Sequence, residues 1–192
     1  MSKGRLEAFT DGVLAIVITI MVLELRVPAG DGVDALRPVL PVFLAYILSF
    51  AFVGIYWTNH HHMLHAAGHI TGKALWANLL LLFWLSLTPV VTAWMGEHHR
   101  SALPTAVYGG VLLLAAISYR ILYGTLVSAA GPDSVLAKAM GGGRKELISE
   151  LIYVAAIPLA FVNPWISDAG YVAVALLWIV PDRRIESRLP RA

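Results

Sequence analysis

Residues 57–69, WTNHHHMLHAAGH, place histidines at positions 60, 61, 62, 65 and 69. The pairs His61/His65 and His65/His69 are spaced i, i+4, which sets imidazoles on one helical face and could bind a metal ion. Imidazoles also titrate near neutral pH and could regulate or relay protons. A histidine-box membrane enzyme would need several such boxes on one side of the membrane. The only other candidate, EHH at 97–99, falls on the opposite side in the topology derived below. A polar network joining the run to Trp57 and Asn78 fits better, and a solvated helix end is the plainest alternative.

The second stretch with chemistry in it is FTDGVLAIVITIMVLEL, residues 9–25. Asp11 opens an apolar run in which Thr19 is the lone hydroxyl. Thr10 or Asp11 could cap a helix N-terminus. If the helix instead begins nearer Arg5, Asp11 lies inside it and needs a donor, from Arg5, Arg120, a histidine or a tryptophan N–H. Counting about 100° per residue, Phe9, Ile20 and Leu23 fall within about 40° of Ile16, with Thr19 about 60° away on the flank. Asp11 lies about 140° away on the same wheel. One side is thus a branched aliphatic stripe and the other carries a carboxylate. Periodicity alone would put the stripe against lipid or ordinary core. The stretch does not read as a cleavable signal, because Glu24, Arg26 and Pro28 stand where small residues are wanted.

These residues must be positioned inside a bilayer. The 192-residue chain is 58% hydrophobic and 14% charged, with mean hydropathy +0.73, against about 25% charge in soluble domains. The net charge of +2 gives no reason to expect nucleic-acid binding. There is no cysteine, which excludes disulfides, Cys-ligated zinc and thiol chemistry. Apolar periodicity predicts six membrane-spanning helices at about 9–26, 39–58, 74–95, 104–128, 147–163 and 165–181. Pro89 is a candidate kink in the third. The last two spans, joined by NPW, read as a tight hairpin. No motif recurs, so residues 1–192 read as one all-α membrane domain.

With six alternating spans, Lys3, Arg5, Lys73, Lys138, Arg144, Lys145, Arg183, Arg184, Arg188 and Arg191 share one side, against Arg26, Arg37 and Arg100 on the other. This positive-inside bias predicts that both termini are cytoplasmic. Arg120 lies within the fourth span. A mid-bilayer charge costs about 2.5–3.5 kcal/mol on insertion scales, so Arg120 either snorkels to the headgroups or pairs with a carboxylate such as Asp11 or Glu150. Glu24 and Arg26 read as a solvated rim. Glu150 suits the N-terminal end of the fifth helix.

The stretch RLEAFTDGVLAIVITIMVLELRVP (residues 5–28) resembles the signature of the transmembrane protein 175 family of potassium channels. The family's R-x-x-x-F-S-D stands here as Arg5, Phe9, Thr10 and Asp11, with Thr in place of Ser. YWTNHHHM (56–63) and LWANLLLLFWLSLTPVVTAW (75–94) are similar to further family stretches, with Val90 where the family has Phe. The resemblance implies a potassium-selective channel rather than an enzyme, without cofactor, with the first helix lining a central pore. A chain with one six-helix repeat implies a homotetramer, and six short-looped spans in a small chain suggest a plasma membrane of prokaryotic type. The resemblance further implies that Ile16 forms the narrowest constriction, with Thr19 beside it and Ile20 and Leu23 as further rings. Arg5, Phe9, Thr10 and Asp11, with Trp57, His60 or His61 and Asn78, would then hold the helix from behind. No carbonyl-ring filter sequence is present, so the expected gate is a hydrophobic one that closes by dewetting. The rival readings are a proton-conducting channel, a carrier, a non-conducting membrane scaffold and, from another class, the histidine-box enzyme.

Overall fold

The computed structural model describes residues 2–131, 134, 136–137 and 143–179. Lys138, Arg183, Arg184, Arg188 and Arg191 of the charge argument, and the end of the sixth expected span, lie outside the described residues. Helix α1 runs Lys3–Leu23, α2 Leu40–Ala66, α3 Gly72–Ser86, α4 Thr88–Glu97, α5 Ala102–Ala130, α6 Arg144–Leu159 and α7 Pro164–Ile179; a short 3-10 turn, Val33–Leu36, precedes α2. The described residues are all-α. Four stretches are long and apolar enough to cross a membrane: Lys3–Leu23, Leu40–Ala66, Gly72–Glu97 and Ala102–Ala130. The apolar α7 is shorter, and α6 carries Arg144, Lys145, Glu146 and Glu150 in its first two turns.

Three boundaries differ from the sequence expectation for local reasons. The first helix begins at Lys3 rather than near residue 9, with Ser2 as its extended N-cap, so Asp11 is an interior residue and caps nothing. The second runs eight residues past 58. Thr58 and Asn59 donate side-chain hydrogen bonds to the Gly54 and Ile55 carbonyls one turn back, absorbing their polarity within the helix, and the run His60–His65 stays helical. The third expected span breaks just before Pro89. Leu87 ends α3, and Pro89 sits in the first turn of α4, where its missing N–H leaves no helical bond unmade.

The hairpin between α6 and α7 is built by its own sequence. Asn163 accepts the Trp165 N–H at 3.1 Å, with Pro164 at the first helical position, a preferred combination for starting a helix. Ser167 then donates to the Ala156 carbonyl at 2.7 Å and ties the two helices together.

Successive spans run antiparallel. One end of the bundle joins Lys3 to His65, Thr10 to Asn78 and Arg120 to Glu150. The other joins Arg26 to Glu97 and brings the His99 and Trp165 rings to 6.3 Å. Two apolar cores result. In the first, Leu14, Val17 and Met21 of α1 pack with Leu81 and Leu85 of α3 and Leu122 and Leu126 of α5. In the second, Phe52, Met95, Tyr108, Leu112, Tyr153 and Tyr171 join α2, α4, α5, α6 and α7.

A buried hydroxyl chain crosses the second core. Thr92 donates to Ser49 at 2.7 Å, and Ser49 is 2.9 Å from the Tyr108 hydroxyl. Nearby, the Tyr171 hydroxyl donates to the Thr105 carbonyl at 3.0 Å. Gly109 makes room for it, because a Cβ there would collide with the Tyr171 hydroxyl and ring. Gly109→Ala is therefore expected to destabilise the fold by about 1–3 kcal/mol through overpacking. Thermal unfolding in detergent measures this, and an unchanged midpoint would contradict the packing described.

Candidate functional site

The face that α1 turns toward its own chain is Leu6, Thr10, Leu14, Val17 and Met21, spaced four, four, three and four residues apart as one helical stripe requires. Leu6, Leu14 and Met21 are each 2% exposed and Thr10 is 1% exposed. The aliphatic stripe is a separate surface: Ile16 is 59%, Ile20 42% and Leu23 80% exposed, and Phe9 is 50% exposed. No part of the described chain covers it. Thr19 is exposed beside Ile16 and donates its hydroxyl to the Ile16 carbonyl at 2.9 Å.

What fixes this rotation is a buried polar relay. Asn78 on α3 is fully buried; its amide nitrogen donates to the Thr10 hydroxyl at 3.0 Å, and its carbonyl oxygen lies 2.8 Å from His60 Nε2. His60 is 2% exposed. One side chain thus satisfies two others, one each on α1 and α2. Burying any of the three unpaired would cost about 1–3 kcal/mol.

Beside the relay runs an exposed ladder between α1 and α2. Lys3 Nζ donates to the His65 carbonyl at 3.0 Å, Glu7 lies 2.9 Å from His61 Nδ1, and Trp57 Nε1 donates to Asp11 at 2.9 Å. Positions 3, 7 and 11 ascend one helix in steps of four while 65, 61 and 57 descend the other. Each rung therefore falls one helical turn from the last, as an antiparallel pair in register requires. Asp11 finds its donor in tryptophan, at the surface rather than in the core. Arg5 is exposed and has no ion pair among the described residues.

The remaining polar residues also find places. Arg120 does not merely snorkel: it pairs with Glu150 at 2.9 Å, and Glu150 is 8% exposed. Arg26 meets Glu97 at 2.7 Å across the far end of α1, so that rim is bridged as well as solvated. The histidines diverge. His60 turns to Asn78, His61 to Glu7, and the His61 and His65 rings are 6.2 Å apart. Among the described residues no three His, Asp or Glu side chains converge to hold a metal ion.

Sequence reasoning placed Arg5, Phe9, Thr10, Asp11, Trp57, His60, His61 and Asn78 in one network. The last six take part in the relay and ladder, Arg5 and Phe9 are exposed outside them, and Lys3 and Glu7 were missed. The signal was available: Lys3, Glu7 and Asp11 share one i, i+4 row. It also missed the Ser49–Thr92–Tyr108 chain, whose hydroxyls are scattered over three helices with no spacing to connect them.

The sequence profile described as "Endosomal/lysosomal potassium channel TMEM175" matches residues 5–89. A potassium channel of Chryseobacterium sp. (strain P1-3) is 52% identical over 189 residues, covering 98% of each chain. The chain belongs to the TMEM175 family. The crystal structure of a lysosomal potassium-selective channel TMEM175 homolog from Chamaesiphon minutus superposes with a TM-score of 0.79 at 30% identity, over 95% of this chain and 97% of that one. The human endosomal/lysosomal proton channel TMEM175 is 30% identical over 85% of this chain, which spans 36% of the human protein. The family match ends within α4 and contains the relay and, apart from Lys3, the ladder.

Asn78→Ala should cost more stability than Asp11→Asn. The first strands two buried groups, for about 1–3 kcal/mol each, while the second keeps an acceptor for the exposed Trp57. Thermal unfolding of the two purified variants in detergent decides it, and equal midpoint shifts would contradict the relay's role.

Proposed function

We propose that this chain is the subunit of a potassium-selective cation channel, and that four copies surround one axis with α1 innermost. The observation that carries the reading is the division of α1. One face is fixed to its own subunit by Thr10 and the leucine stripe, and the other, led by Ile16, is left for something outside the subunit. The names of the Chryseobacterium and Chamaesiphon relatives support potassium as the permeant ion.

In this arrangement Ile16 from four subunits forms the constriction, with rings of Ile20 and Leu23 beyond it. Isoleucine rings exclude water when narrow and admit ions when they move apart. Thr10 and Asp11 with Trp57, His60, His61 and Asn78 hold each α1 at the rotation that aims Ile16 inward, while Arg5 and Phe9 of the same motif are exposed on α1. Thr19 sits beside the constriction. Because its proton is committed to the Ile16 carbonyl, the hydroxyl oxygen keeps its lone pairs for a passing cation. Potassium is more weakly hydrated than sodium and gives up less on exchanging water for such oxygens. The basic residues at the histidine end of the bundle support a cytoplasmic position for that end and for the N-terminus, in a multi-pass protein of a prokaryotic plasma membrane.

Flux into proteoliposomes under K⁺, Na⁺, Cs⁺ and H⁺ gradients tests the reading, the proton arm being required by the human relative's name. Potassium flux well above sodium flux is the expected result; no flux of any ion would overturn it. Ile16→Asn should raise basal K⁺ leak severalfold, and an inert variant would remove Ile16 from the conduction path. Thr19→Ala should lower the K⁺ over Na⁺ ratio read from reversal potentials, and an unchanged ratio would contradict the role given to that hydroxyl.

A further inference from the structure

A narrow pocket opens between α2, α5, α6 and α7, separate from α1, toward the end of the bundle that carries the histidine run. Tyr56, Asn59, Tyr119, Glu146, Tyr153 and Trp178 supply its aromatic and polar walls. Its volume of about 40 Å³ exceeds the roughly 10–15 Å³ that one ordered water occupies on the same measure. It therefore has room for a compact head group and not for a large ligand.

The walls have one chemical character. Tyr56 and Tyr119 meet edge to face with ring centroids 6.0 Å apart, and Tyr153 meets Phe52 in the same way at 6.4 Å. The Trp178 indole is pinned by its N–H bond to Ser149 at 2.8 Å. Aromatic faces carry negative potential and attract cations, most of all where water is excluded. Glu146 adds a carboxylate to the same wall. On the flank of α6, Glu150 gives one oxygen to Arg120, while its Oε1 is buried with no hydrogen-bond partner among the described residues. The Lys145 ammonium already lies 5.8 Å over the Trp178 ring, so this indole stands beside positive charge in the structure itself.

From these features we infer that the pocket is a binding site for a small organic ammonium group, held by the faces of Tyr56, Tyr119 and Trp178 and neutralised by Glu146. The ammonium can come from an amine-bearing lipid head group or from a free amine. Both present the same cation to the same rings, and neither needs the pore.

The test is calorimetric titration of the purified full-length protein with tetramethylammonium, with neutral tert-butanol as the uncharged comparison. Saturable binding of tetramethylammonium, absent for tert-butanol and weakened about tenfold or more in Glu146→Gln and in Tyr119→Leu, is the expected result. Equal binding of the neutral compound would overturn the inference by making the pocket merely apolar. Binding that survives Glu146→Gln but is lost in Ile16→Asn would overturn it by placing the cation in the pore. Retained K⁺ flux in Glu146→Gln shows that the variant is folded and separates failure here from failure of the channel reading. Repeating the titration in nanodiscs separates the sources. Weaker apparent binding with phosphatidylethanolamine than with phosphatidylglycerol alone identifies the lipid head group as a natural occupant, and equal binding in both identifies a free amine.

Discussion

Everything that distinguishes one face of α1 from another depends on the Thr10–Asn78–His60 relay. In a bilayer core an unpaired polar group has no water to turn to, so a buried threonine, asparagine and histidine must find one another or the helices do not pack. Asn78 alone offers a donor and an acceptor on one rigid amide, and both are used. Turning α1 by a single residue, about 100°, would strand the Thr10 hydroxyl and the Asn78 amide N–H. The exposure of Ile16 on another side of the helix is therefore a consequence of where Thr10 is buried.

The exposed ladder of Lys3, Glu7 and Asp11 with His65, His61 and Trp57 does different work. Exposed pairs of this kind are worth about 0–1 kcal/mol each, too little to hold a helix. Their effect is on register, because a slide of one residue along α2 misaligns every rung at once. Relay and ladder together fix rotation and height, leaving α1 few ways to move without breaking a buried bond. The second core, tied by Ser49, Thr92 and Tyr108, keeps the other helices packed without involving α1. Helix α1 and the helices of the second core are thus separately braced.

The four long apolar stretches and the polar residues packed around α1 were legible because apolar run length is a local property, and because the FTD and WTNHHH stretches are contiguous. What was not legible depended on pairing at a distance. Arg120 could snorkel or pair on sequence grounds, and only the packing of α5 on α6 puts Glu150 within 2.9 Å. The early start of α1 was open on sequence grounds, since Arg5 pointed to it while the mixed composition of Lys3, Arg5 and Glu7 left the apolar run to begin at residue 9. The long α2 was underestimated for a similar reason: Thr58 and Asn59 look like the end of a helix until their side chains are seen bonding back to it. The wheel located the aliphatic stripe but placed its opposite at Asp11. The buried face is centred instead between the two, on Thr10, Leu14 and Val17.

The central claim is that the Ile16 face of α1 meets the permeating ion while the Leu14 face does not. Because the chain contains no cysteine, single substitutions report on one site each. Potassium current through Ile16→Cys channels should fall by most of its value when a charged, water-soluble thiol reagent is applied. Leu14→Cys channels, with the thiol packed against α3 and α5, should be unaffected. Full current through Ile16→Cys channels whose mass confirms complete labelling would contradict the claim, and so would block through Leu14→Cys alone.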